Sequence, residues 1–104
     1  MATITEKTRM HNPAHPGEVL LEMYMKPLEV SITKAAAATG VTRKHVSAIV
    51  NGRASVTPDM ALRLAAAFAT DPELWVNMQA QYDLWILSKK ARPKVKVLVA
   101  KKAA

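Results

Sequence analysis

The chain has 104 residues and no cysteine. That excludes a disulfide framework and any thiolate metal site, and it fits a reducing cytoplasm. No apolar run approaches the about 20 residues that span a bilayer. The N-terminus also lacks the apolar region of a secretory signal. A cytosolic protein with no membrane association is expected. Catalytic arrangements are missing too: there is no Ser–His–Asp order with supporting glycines, no phosphate loop and no pair of carboxylates in an apolar setting. No enzyme activity and no cofactor are expected, and a ribonuclease would have to draw its general base from three histidines. His11 and His15 are four apart, but Pro13 and Pro16 prevent a helix there and no third ligand is near, so no metal site is expected either. Alternation of the β type is absent before residue 94.

Acidic residues are missing from one place in particular. Between Glu29 and Asp59 there is none, while Lys34, Arg43, Lys44 and Arg53 all fall there. The net charge of +7 is distributed just as unevenly. Residues 1–87 hold eight basic and eight acidic groups. The excess sits beyond them in Lys89, Lys90, Arg92, Lys94, Lys96, Lys101 and Lys102. The chain therefore has a neutral body, a basic island within it, and a basic tail. Such an island is the electrostatic footprint of a nucleic-acid-binding face.

The island coincides with the most informative segment, Ser31 to Gly52. Ser31 suits an N-cap, and the alanine-rich run Ile32 to Thr39 suits a helix. Ala36 is small enough to let a second helix cross closely. Gly40 stands where a helix ends in a left-handed residue. Thr42 caps a second helix, Val46, Ile49 and Val50 give it one apolar face, and Asn51-Gly52 stops it. Small residue, glycine, caps and aliphatics at these offsets form a helix-turn-helix. Its second helix would read the major groove with its N-terminal residues. Arg43, Lys44 and Ser47 lie off the apolar face and are free to meet base edges, Arg pairing with guanine O6 and N7. Thr42 and the N–H groups beside it suit a phosphate. His45 either touches DNA or is solvated. Asn51 and Arg53, at the end of this helix and just past it, complete the expected contact set.

The rest of the chain reads as support for this unit. Residues 1–14 form an N-terminal arm, 15–87 the domain and 88–104 the tail. His15-Pro16-Gly17-Glu18 opens a first helix with one stripe of Val19, Leu20, Met23 and Tyr24, and Pro27 ends or bends it. Thr57-Pro58-Asp59 starts a fourth helix whose buried side is Met60, Leu62, Leu64, Ala65 and Phe68. Asp71-Pro72-Glu73 starts a fifth, running to about Leu87. The expected fold is all-α, a five-helix bundle with a basic C-terminal tail. On the last helix Leu74 and Trp75 read as core. The aromatic and Met stripe that continues along it is either simply core or, because it exceeds what so small a core covers, in part a homodimer interface formed by Met78, Tyr82, Trp85 and Ile86. Asn77 and Gln79 are either buried brackets to a neighbouring loop or exposed. The tail segment Lys94-Val-Lys-Val-Leu-Val-Ala alternates with period two. It is either a flexible arm that strengthens binding to any DNA, the simpler reading, or an edge strand that pairs with another chain.

Four motifs in order (His15-Pro16-Gly17-Glu18, the helix-turn-helix, Val56-Thr57-Pro58-Asp59-Met60-Ala61-Leu62-Arg63-Leu64, and Trp75-x-Asn77-x-Gln79-x-x-Tyr82-Asp83-Leu84) resemble the HigA antitoxins. These belong to the lambda-repressor-like (Xre) class of helix-turn-helix proteins. The resemblance covers about residues 15–87. It implies a lambda-repressor-like bundle and a homodimer on a palindromic double-stranded operator. It also implies neutralisation of a HigB-like toxin, an mRNA endonuclease, and repression of the shared operon. Two other readings stand beside it: a lone Xre-type repressor without a toxin, and an interaction module that no longer reads DNA. The chain departs from the wider class at Ile32, where many members carry a glutamine that braces a phosphate. The backbone clamp is then expected from Ser31, Thr33 or Lys34.

Overall fold

A computed structural model describes residues 12–100. The expected arm at residues 1–14 lies mostly outside this range, as do Lys101 and Lys102. The described residues form five helices and no strand. The first, α1, is α-helical over Pro16–Val19 and continues as a π-helical segment, Leu20–Met25. Then follow α2 (Ile32–Thr39), α3 (Arg43–Val50), α4 (Pro58–Phe68) and α5 (Pro72–Ser88).

Three caps follow the sequence, whereas Asp71, before Pro72, makes no side-chain cap bond. Ser31 Oγ accepts from Lys34 N at 3.0 Å, Thr42 Oγ1 from His45 N at 3.0 Å, and Thr57 Oγ1 from Met60 N at 3.2 Å. Pro58 and Pro72 open their helices, where a missing N–H is harmless. Gly40, at φ 75°, ends α2, and the N–H groups of Gly40 and Val41 both return to the Ala36 carbonyl. His15 caps α1 through Nδ1, which accepts from Gly17 N at 2.9 Å.

The core gathers one stripe from every helix: Leu20 and Met25, Ala35 and Ala36, Val46 and Ile49, Met60, Ala61 and Leu64, and Trp75, with Val56 from the α3–α4 loop. Tyr24 lies 5.4 Å from the Trp75 ring and 5.9 Å from Phe68. Trp75 Nε1 donates to Thr70 Oγ1 at 2.8 Å, so burying the indole leaves no orphan donor. Gln79 is also buried. It accepts from Val56 N at 2.8 Å and donates to Asp83 at 2.9 Å, bracketing the loop between α3 and α4, whereas Asn77 is exposed.

Three expected core positions are corrected. Met23 is exposed, because the π-helical turn widens the repeat and brings Met25 inward in its place, beside Leu20 and Tyr24 of the expected stripe. The bond from Lys26 N to the Leu21 carbonyl, 2.9 Å, marks that widened turn. Leu62 is exposed, since the seam of α4 runs through Met60, Ala61, Leu64 and Ala65 and leaves it off the face. Leu74 borders solvent for the same reason, standing a step off the inward line of Trp75 and Gln79 on α5.

Candidate nucleic-acid interface

The α2–turn–α3 unit rests on the core and on α1. Ala35 and Ala36 of α2 are buried in the core cluster. On the other side Gly17 of α1 touches the end of α3 so closely that a Cβ there would sit 1.7 Å from the Ile49 carbonyl oxygen. Val46 and Ile49 point into the core, which fixes the rotation of α3 about its axis.

That rotation decides where the charges go. Thr42, Arg43 and Lys44 are exposed at the N-terminus of α3, and His45 and Ser47 are half-buried beside them. Asn51 Nδ2 donates to the Ser47 carbonyl at 2.8 Å and lies 3.3 Å from Ser47 Oγ, so these two close the far end of the helix together. Ser31, Thr33, Lys34 and Arg53 are exposed. Ile32 packs against the core cluster, as its apolar side chain requires. Among the described residues the ion pairs are Lys26–Glu22 and Arg63–Asp59, so Lys34, Arg43, Lys44 and Arg53 face solvent uncompensated.

Arg63 was legible in the sequence as a charge and nothing more. Its guanidinium turns from α4 toward the turn of the motif. Nη1 donates to the Thr39 carbonyl at 2.7 Å and lies 3.5 Å from the Gly40 carbonyl, while Nε donates to Asp59 at 2.9 Å. It thus satisfies carbonyls left unpaired at the end of α2. Asp59 at i−4 is the one sequence signal for this arrangement, and it gives no hint of a partner 24 residues away.

His15 gains a role that spacing did not reveal. Besides capping α1, its ring meets Tyr82 edge-on at 4.9 Å between centroids. Burial lowers its pKa from the usual 6.5, against the opposing pull of Asp83 and Glu18. Tyr82 is thereby tied to the body of its own chain. Met78, Trp85 and Ile86 are half-buried as well. Trp85 lies 6.4 Å from Tyr82, with Lys89 Nζ 3.9 Å above its ring. Met78 also lines an apolar groove of about 550 Å³ with Pro13, Ala14, Val19 and Leu74. No group of His, Asp and Glu among the described residues could hold a metal ion, and no helix there is long and apolar enough to cross a membrane.

The bundle and its exposed basic helix end define a helix-turn-helix protein, and comparison with known proteins agrees. The helix-turn-helix family model matches residues 21–75. Virulence-associated protein A' of Dichelobacter nodosus is 43% identical over 91 residues, covering 86% of this chain and 78% of that protein. Among solved structures, antitoxin GraA is 39% identical with a TM-score of 0.74, over 76% of this chain and 85% of that one. The Pseudomonas aeruginosa antitoxin HigA, solved with the higBA promoter, is 32% identical with a TM-score of 0.72, over 74% and 84%. The chain belongs to the helix-turn-helix family, among the HigA-type antitoxins of the Xre class. These are DNA-binding proteins and not enzymes.

Proposed function

We propose that this protein is a sequence-specific DNA-binding antitoxin that represses its own operon and neutralises an mRNA-cleaving, HigB-like toxin in the cytoplasm. One observation carries the DNA reading: the capped N-terminus of α3 presents Arg43 and Lys44 to solvent with no acid to neutralise them. Arg43, Lys44 and Ser47 meet base edges in the major groove, with His45 beside them. Thr42 and the first N–H groups of α3 take a phosphate. Ser31, Thr33 and Lys34, with Asn51 and Arg53 on the far side, grip the flanking backbone. The Ser31 and Thr42 hydroxyls are already acceptors in their caps, so they retain a proton to donate to a phosphate oxygen.

A relative in this family is known bound to its promoter, which supports the same role here. The operator is palindromic and is read by a homodimer, with Met78, Tyr82, Trp85 and Ile86 of α5 at the interface. Tyr82 contributes there through the edge that His15 leaves free. Two-fold symmetry sets the two α3 helices about 34 Å apart, one turn of DNA.

Gel shifts on the DNA upstream of the protein's own gene test the reading. The wild type is expected to give a discrete shift, which Arg43→Ala combined with Lys44→Ala abolishes at the operator. No shift for the wild type overturns the DNA role. For the toxin, a growth-arresting product of the adjacent gene, relieved by co-expression of this chain, is the expected outcome. Without such a product the protein is a lone repressor.

A further inference from the structure

The outer side of α4 and α5 is apolar and uncovered among the described residues. Leu62, Val76, Leu84 and Leu87 are 61%, 38%, 67% and 59% exposed there. Leu62 of α4 and Val76 of α5 line one depression of about 290 Å³, together with Pro58, Pro72 and Glu73. From Val76 the stripe runs on through Ala80, Leu84 and Leu87, steps of four, four and three that keep to one side of a helix. Trp75 and Gln79 mark the inward side of α5, and at about 100° per residue Met78 and Trp85 fall on its opposite flank. The stripe therefore faces away from the proposed dimer interface, and none of its residues belongs to α2 or α3. Single exposed apolar residues are ordinary, but a row of them rimmed by polar groups marks an interaction surface.

The charge on this side selects the partner. Between Arg53 and Lys89 a single basic residue, Arg63, stands against Asp59, Asp71, Glu73 and Asp83. Arg63 is held by Asp59 and the Thr39 carbonyl, and Asp83 accepts from Gln79. Among the described residues neither Asp71 nor Glu73 has an ion-pair partner, and Asp71 makes no cap bond. Both carboxylates are exposed and open to a cation. DNA is repelled by such a surface. A second copy would set the same acids against each other, and like charges across an interface are costly. A protein that cleaves mRNA is the complementary case, because it must hold RNA phosphates with lysine and arginine. We propose that the outer face of α4 and α5 docks the mRNA-cleaving toxin. Leu62, Val76 and Leu84 form the apolar centre of the contact, and Asp71 and Glu73 meet the basic rim of the toxin. The inference rests on the proposed neutralisation of a toxin and assigns it a surface. Docking there leaves the reading residues of α3 uncovered.

Because these side chains are exposed, changing them tests docking without emptying the core. The probe is the purified, growth-arresting product of the adjacent gene, titrated into the full-length chain. Leu62→Lys combined with Leu84→Lys is expected to weaken its binding at least about tenfold, since a few central side chains carry most of an interface's affinity. The same variant should no longer relieve growth arrest, yet keep the operator gel shift and the molar mass of the wild type. Met23→Lys, at a comparably exposed apolar position on α1, should bind the product as the wild type does. Glu73→Lys is expected to slow association several-fold at low salt, a difference that shrinks as salt rises. Equal binding by the wild type and the double variant overturns this surface, as does an equal loss from Met23→Lys. A lower molar mass for the double variant in light scattering means that the face holds a second copy, and overturns it too. If the wild type neither binds the product nor relieves the arrest, the toxin reading itself fails and the surface falls with it.

Discussion

Arg63 shows how one side chain changes meaning between sequence and structure. Counted as charge, it joins the cations that could touch phosphate. Placed in the fold, it holds the carbonyls of Thr39 and Gly40 and is steered there by Asp59. The two roles have different signatures. Losing a phosphate contact lowers the salt dependence of binding by about one unit of slope, whereas losing a positioning contact leaves the slope alone. Arg63→Met is expected to cost about 1–2 kcal/mol of stability. It should also lower the ratio of operator to non-specific affinity at an unchanged salt slope, as read by binding titrations at several salt concentrations. His15 makes a second residue-scale prediction. Its Nδ1 accepts the Gly17 N–H, so the folded state holds it neutral, and burial lowers its pKa below the unfolded 6.5. A group with a lowered folded pKa that must stay neutral contributes its stability fully above pH 6.5. That contribution is lost as pH falls from 6.5 through the folded value, because the unfolded chain then binds the proton more readily. Urea midpoints should therefore drop on acidification through this window. His15→Asn, which can still cap α1, should flatten that drop.

At the scale of elements, the reading helix is placed by what touches its back. Gly17 is the tightest such contact, and its glycine identity is set by closeness and not by backbone angle. Gly17→Ala drives a methyl group into the backbone of α3 at Ile49. Overpacking of this kind is expected to cost about 3 kcal/mol, measured by denaturant unfolding. Operator affinity should fall further than stability alone explains, because the part that must yield is α3 itself. The Ser31, Thr42 and Thr57 caps were legible in the sequence, since each acts within three residues of itself; Asp71 repeats the start pattern yet makes no side-chain cap bond, and the cap His15 places on α1 carried no such signal. Phase along α1 was not. A π-helical turn arises from a balance of tertiary contacts, so a repeat of 3.6 placed Met23 inside and missed Met25. Leu62 and Leu74 misled for a related reason. Each is apolar and helical, yet it lies beside the seam, and only the direction of neighbouring helices shows which side of a helix is the inner one.

For the whole molecule, charge is sorted into a neutral body, an exposed basic end of α3 and a basic tail. The sorting predicts a division of labour. Arg43→Ala is expected to cost about 1–3 kcal/mol at the operator and to relax preference at one base pair. Lys90→Gln together with Arg92→Gln, both in the basic tail, should weaken binding to every DNA alike and flatten its salt dependence. Filter binding on operator and scrambled duplexes, across a range of salt, measures both. Equal losses of specific and non-specific affinity from the two sets of changes would contradict the division.

The sequence by itself determined the helix starts and stops, the helix-turn-helix and the acid-free island. The helix signals follow from residues within one or two turns of each other, where a cap, a proline or a left-handed glycine acts locally, and the island is a matter of composition that needs no folding to be seen. Tertiary structure decided which apolar residues are core, that Arg63 serves the turn, that Gly17 must lack a side chain, and that His15 and Tyr82 meet. Each of these joins residues more than 20 positions apart, and a separation of that size is bridged by packing, which no local rule contains.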